Sequence, residues 1–249
     1  MVSALGAPRS GAPTSTDAKP GKLMAIAAHP GDGMFTMGAA MAQQIERGGS
    51  AMLLSLSIGE KGAPKNIPVA EYGEMQRTAT LKAVQLLKAE AAFLTYPDAE
   101  VPFNEEICLQ VGDSIREYKP DIVVTHWTGS WHKDHQNCYR IVQDAVFYAA
   151  LATLPRKNPP HSVSKIFYAD NWEDAQNFAA DTYLDIEPVY EKWLQACDFY
   201  PMWRGQTGFF RYNDYYSSLA VMRGCLSNFK HAVALMSDPA QRTVHRQSL

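Results

Sequence analysis

Two kinds of apolar patterning alternate along the chain. Short, nearly unbroken apolar runs stand at Leu23–Ala28, Ala51–Ser57, Ala91–Leu94, Asp121–Thr125, Lys165–Ala169 and Thr182–Ile186. They read as strands, and their lack of polar alternation suits parallel strands buried on both faces. Between them lie longer stretches with helical spacing. Phe35 to Arg47 places Met37, Ala40, Met41 and Ile45 on one face, and Gly48-Gly49 ends it. Glu71 to Lys88 carries an inner stripe of Met75, Ala79, Ala83, Leu86 and Leu87. Asn104 to Tyr118 opens on an N-cap Asn before Glu105 and Glu106 and stops at Pro120. His135 to Leu151 turns Ile141, Val142, Ala145, Val146 and Ala149 inward. Pro188 to Phe199 is a further helix, and Tyr212 to Met236 the last, interrupted near Gly224.

This order of strand and helix predicts one α/β domain: a Rossmann-like, mainly parallel sheet with helices on both faces and right-handed crossovers. Residues 1–21, rich in Ala, Gly, Pro, Ser and Thr, read as a disordered tail, and residues 22–249 as the folded domain. Ile58 to Val69 holds Gly59, Gly62, Pro64 and Pro68, which predicts a long loop over the strand ends.

At 249 residues the chain can bury a substantial core. Its net charge of -3 makes no electrostatic case for nucleic acid or an anionic membrane surface. No apolar run approaches the roughly 20 residues that span a bilayer. Cys108, Cys138, Cys197 and Cys225 are widely spaced without a C-x-x-C pair, which fits free, buried thiols in a reducing compartment. A cytoplasmic location is the expectation, with export behind a removed signal as the alternative.

Two polar clusters each follow an apolar run. His29-Pro30-Gly31-Asp32-Gly33 leaves the first strand, and His132-Lys133-Asp134-His135 follows the fourth. Strand ends are where open α/β sheets bind ligands. A catalytic zinc takes three protein ligands and keeps a fourth place open. His29 and Asp32 could reach one ion from a single turn, and His135 could complete the set. Such N and O donors suit Zn2+ and admit Mn, Fe or Co. His126 also follows strand four and competes as a ligand. Asp134 is placed to accept a hydrogen bond from an imidazole and fix its tautomer, and His132 could serve as general acid or transition-state stabiliser. Trp127 and Trp131 could floor a pocket. Alone, H-P-G-D is only a turn, and H-x-D-H is explained by capping and surface charge; together, each after a predicted strand, they favour a metal site. His161, His231 and His245 lie outside any cluster.

With these motifs the chain resembles the PIG-L/LmbE-like metal-dependent deacetylases from about residue 22 to 236. Gly59-Glu60-Lys61-Gly62, Asn171-Trp172-Glu173-Asp174, Tyr183-Leu184-Asp185-Ile186 and Arg223-Gly224-Cys225 share the likeness. The resemblance implies an LmbE-like fold and zinc held by His29, Asp32 and His135. It implies that His132 assists the tetrahedral intermediate, with Asp134 as its partner. The implied reaction removes an N-acyl group from an amino sugar or its conjugate. One departure bears on that reaction. The first Asp of the family's His-Pro-Asp-Asp-Glu motif, its general base, is Gly31 here, and the final Glu is Gly33. General-base help is worth roughly 10²–10⁴-fold, and Glu60 and His132 are the candidate replacements. The expected Arg-x-x-Glu pattern on the second helix is half present, with Arg77 but Thr80 in the acidic position. Arg77 and Trp131 are the expected substrate contacts. The family also includes zinc-dependent hydratases of small unsaturated acids, some lacking that Asp. A hydratase or lyase, or a catalytically impaired metal- or sugar-binding member, is therefore the alternative. The expected partner is a small molecule, an N-acylated amino sugar, with no nucleic acid and no membrane span; self-association into a homo-oligomer is allowed.

Overall fold

In the computed structural model, residues 20–241 are described, apart from 207 and 209. Residues 1–19 of the expected tail lie outside the described residues. The strands are β1 Lys22–Ala27, β2 Ser50–Ser55, β3 Glu90–Phe93, β4 Ile122–Thr125, β5 Lys165–Ala169, β6 Thr182–Asp185 and β7 Ala232–Ser237. They form one 7-stranded sheet in the order β3-β2-β1-β4-β5-β7-β6. The strands from β3 to β5 in that order are mutually parallel. β7 runs antiparallel to both β5 and β6.

The near-continuous apolar character of β1 has a direct cause. Leu23, Ala25 and Ala27 face one core and Met24 and Ile26 the other, so both sides are buried. Helices α2 Gly38–Glu46, α3 Val69–Leu87, α6 Tyr190–Cys197 and α7 Tyr212–Ser227 cover the first face, through Met41, Ala83, Trp193 and Tyr216 among others. Helices α4 Glu105–Tyr118 and α5 Lys133–Ala150 cover the second, through Val111 and Ile141. Asn104 caps α4 as expected, its side chain accepting from the Ile107 N–H at 3.1 Å.

Two expectations change. The first helix begins earlier than Phe35: a short α1, Pro30–Asp32, leads through a π-turn, Gly33–Met37, into α2. Pro30 starts it because a missing N–H costs nothing in the first turn. A Cβ on Gly33 would lie 2.6 Å from Leu53 Cδ1 and 2.9 Å from Ala27 Cβ, so the turn crosses the sheet too closely for a side chain. The second change is at the other end. Tyr212 to Met236 is not one helix: α7 stops at Ser227, closed by Asn228 with φ 62°, and Ala232–Ser237 is strand β7. Asn adopts this left-handed turn with little penalty. The chain then folds back over Gly224, where a Cβ would meet Lys230 O at 2.6 Å.

The topology fixes where a site can form. From β1 the chain steps outward to β2 and β3 on one side, then crosses to β4 on the other. The crevice at such a reversal, beyond the carboxyl ends of the adjacent strands, is the natural ligand site. β1 and β4 are those neighbours, with Ile26 opposite Thr125. Among the described residues no helix is long and apolar enough to cross a membrane. Cys108, Cys138 and Cys197 are buried free thiols, and Cys225 is exposed.

Candidate functional site

His29 leaves β1 in an extended conformation immediately before α1, and Asp32 follows one turn later, so both side chains come back to the same point. Nδ1 of His29 lies 2.8 Å from Asp32 Oδ2. From the end of β4, the loop into α5 brings His135 Nε2 to 3.1 Å from that same oxygen and 3.3 Å from His29 Nδ1. A tetrahedral ion with bonds of about 2.0–2.1 Å sets its ligands roughly 3.3 Å apart. The three donor atoms thus converge as the ligands of one small cation do, and these residues form a cluster able to hold a metal.

The outer nitrogens agree with this. Nε2 of His29 faces Asp98 Oδ1 at 2.9 Å and Asp134 Oδ2 at 3.3 Å. Nδ1 of His135 faces Glu173 Oε2 at 2.8 Å. Carboxylates on the outer nitrogens leave the inner lone pairs for a cation. Burial opposes charge on both rings, yet the carboxylates outweigh it. Asp134, Asp32 and Asp98 raise His29 well above 6.5, and Asp32 and Glu173 hold His135 up at about 9. Burial would raise Asp32, but His135 and His29 keep it well below the usual carboxylate range.

His132 is the N-cap of α5. Its Nδ1 accepts the backbone N–H of Asp134 at 3.2 Å. Burial and the nearby charges of His135 and His29 lower its pKa. A neutral ring that accepts at Nδ1 carries its proton on Nε2, so His132 offers the site a donor rather than a base. Asp134 therefore meets His132 through its backbone, while its carboxylate reaches toward His29. That differs from the expected side-chain pairing, because capping geometry brings the N–H and not the carboxylate to the ring.

Gly31, Asp32, Gly59, Lys61, Asp98, His132, Glu173, Met202 and Tyr212 are among the residues around a cavity of about 260 Å³ that the cluster opens into. A larger open groove, about 750 Å³, runs along α7 from Phe210 to Met222, but its charged residues, Arg211 and Asp214, pair with each other. The smaller cavity is the one with converging polar groups.

Other expected residues stand elsewhere. Glu60 does not line the cavity: its Oε1 accepts the Asp98 N–H at 2.9 Å. Arg77 lies over the Phe93 ring at 4.5 Å and beside Glu74 at 3.7 Å. Successive helical residues point about 100° apart, and it is the neighbouring Gln76, 2% exposed, that reaches the cavity wall. Trp131 is 58% exposed and sits beside the site, its ring 5.9 Å from His132 and 5.6 Å from Trp172. Trp127 packs on Tyr139 and Tyr168, away from the cavity. His126 stacks on His135 at 4.0 Å, but its Nε2 accepts the Ala28 N–H, which takes it out of the ligand set. Asp98 and Glu173 were given no role from the sequence; for Asp98 the only sign was an acidic residue in a loop after a strand, whereas Glu173 stands in the Asn171-Trp172-Glu173-Asp174 segment that shares the family likeness.

Residues 24–146 match the family model PIG-L, GlcNAc-PI de-N-acetylase. The matching segment carries His29, Asp32, His132 and His135. It is 22% identical over 209 residues to a 4-oxalmesaconate hydratase of Pseudomonas putida, spanning 81% of this chain and 79% of that one. It is 23% identical over 235 residues to a diacetylchitobiose deacetylase of Thermococcus kodakarensis, spanning 88% and 83%. Its fold matches the crystal structure of 4-carboxy-2-hydroxymuconate hydratase from Pseudomonas putida with a TM-score of 0.81 and 20% identity, covering 91% of this chain and 99% of that one. The proteins this chain is similar to thus include a deacetylase and hydratases.

Proposed function

We propose that this chain is a zinc-dependent hydrolase that removes an N-acyl group from an amino sugar or its conjugate. The observation that carries the reading is the meeting of His29 Nδ1, Asp32 Oδ2 and His135 Nε2 at the wall of a cavity that His132 also lines. Bound there, zinc would polarise a carbonyl oxygen and lower the pKa of a water. His29, Asp32 and His135 would hold the ion, and Asp98, Asp134 and Glu173 would fix the rings. His132, neutral and protonated at Nε2, would donate to the oxygen on which charge develops. The cavity also carries several carboxylates. Asp32, Asp98 and Glu173 line it, and the cation there, Lys61, is drawn to Glu100.

A second reading, hydration of a small unsaturated acid, is favoured by one feature. A Cβ on Gly31 would lie 2.9 Å from Met202 Sδ, so a thioether fills the space into which a base at position 31 would extend. Neither side-chain candidate replaces that base easily: Glu60 is held by Asp98, and the acceptor nitrogen of His132 is occupied.

The two are separated by giving the zinc-loaded protein N-acetylglucosamine, diacetylchitobiose and a panel of conjugated enoic acids. Release of acetate with a free amine supports the hydrolase. A change in the ultraviolet absorbance of an acid, with no amine released, replaces it with the hydratase. Zinc-loaded protein inert toward both panels counts against either enzyme.

A further inference from the structure

Two carboxylates outside the two histidine clusters stand behind the paired histidines. Asp98, on the loop after β3, is 7% exposed, and Glu173, on the loop after β5, is 6% exposed. Asp98 Oδ1 is 2.9 Å from His29 Nε2, and Glu173 Oε2 is 2.8 Å from His135 Nδ1. Each touches the ring nitrogen turned away from Asp32.

We propose that Asp98 and Glu173 are the positioning residues of the metal centre, each locking one histidine in the tautomer and orientation that present its inner lone pair. The inference rests on the metal reading of the site. An imidazole has two tautomers, and only one of them serves at each position: Nε2–H at His29 and Nδ1–H at His135. A buried carboxylate on the outer nitrogen selects that tautomer and makes the ring a better donor. Asp134 Oδ2 shares that nitrogen, hydrogen-bonded to His29 Nε2 at 3.3 Å, so Asp98 positions the ring together with Asp134.

The Asp98 carboxylate and the Glu173 backbone are themselves held. Asp98 Oδ2 accepts the Lys61 N–H at 2.9 Å, and the Asp98 N–H donates to Glu60 Oε1 at 2.9 Å. Glu60 therefore acts on the site through Asp98. The Trp131 N–H donates to Glu173 O at 3.1 Å, and the Glu173 N–H donates to Asn171 Oδ1 at 3.3 Å. Asn171 Oδ1 also accepts from the Tyr216 hydroxyl at 3.0 Å. Glu173 lies beyond the segment, 24–146, that matches the family model, so the later part of the chain contributes to a centre whose ligands all lie within that segment.

The test is metal affinity, read by competition with a chromophoric chelator using Zn2+, and the visible spectrum of the Co2+-loaded protein. Asp98→Asn and Glu173→Gln should each weaken Zn2+ binding about 10–100-fold and shift the Co2+ bands. Glu60→Gln should weaken it less than either. Glu173→Asp, which keeps the charge, should retain more affinity than Glu173→Gln. Thermal midpoints of the metal-free proteins check that each variant folds. Asp98→Asn and Glu173→Gln proteins that are folded, bind Zn2+ within about twofold of wild type and give an unchanged Co2+ spectrum overturn the inference while leaving the metal reading intact. Wild-type protein that binds neither ion overturns both.

Discussion

The Nδ1 of His29 and the Nε2 of His135 stand 3.3 Å apart with Asp32 Oδ2 close to each. Such rings cannot both keep a proton at the meeting point and bind a cation there. Without a cation, burial works against their charge, but the surrounding carboxylates raise His29 well above 6.5 and His135 to about 9. Protonation of both rings is thereby favoured, and a metal must displace those protons. Affinity for Zn2+ should therefore rise with pH between about 6 and 8, by about tenfold per unit for each proton displaced. Calorimetry in buffers of different ionisation enthalpy measures the protons released. A pH-independent affinity with no proton release contradicts the assignment.

His132 has two separable duties. Its Nδ1 caps α5 and its Nε2–H is the donor available to the site. His132→Ala should cost about 0.5–2 kcal/mol of stability through the lost cap. His132→Asn restores a good cap but withdraws the ring Nε2–H from the site. Both variants should lose roughly 10²–10³-fold in kcat with zinc content unchanged. If His132→Asn recovers activity together with stability, capping is the only role.

Position 31 can be tested by rebuilding it. Gly31→Asp alone runs into Met202, where even a Cβ comes to 2.9 Å from the sulfur. Gly31→Asp combined with Met202→Ala opens the space. If the chain is a deacetylase working without its base, the double variant should gain roughly 10²-fold or more in amide hydrolysis, and the single variant clearly less. Acetate release from N-acetylglucosamine reads the difference. If the natural reaction is hydration, that activity should fall in the double variant instead.

Asp174 gives a pH dependence of stability from a residue outside the ligand set. Neither of its carboxylate oxygens has a hydrogen-bond partner among the described residues. Burial, reinforced by Asp170 against the pull of His135, pushes its pKa up to about 8. An unfolded Asp loses its proton near 3.9. Between the two values the folded state binds more protons, so this contribution is full below about pH 4 and is lost as pH rises through about 8. Asp174→Asn should flatten the decline in thermal midpoint between pH 5 and 8.5, and stabilise the protein by about 1–2 kcal/mol at pH 8. Parallel melting curves for wild type and variant across that range contradict it.

Much of the architecture was legible because it follows from short-range pattern. Strands buried on both faces must be apolar throughout, and β1, β2, β4 and β5 announce themselves that way. The two histidine clusters were legible because each stands at the end of such a strand. Strand β7 was not, because Asn228 rather than a glycine ends α7, and the apolar run after it continues the helical spacing.

The sequence by itself determined the layered α/β fold and the residues at two strand ends, since alternation, capping and apolar runs are properties of neighbours along the chain. Only the tertiary structure decided that Asp98 and Glu173 stand behind His29 and His135, that Gln76 rather than Arg77 reaches the cavity, and that Met202 occupies the space beside Gly31. Those depend on loop conformations and on the rotation of α3 about its axis, which are set by packing between segments far apart in the chain.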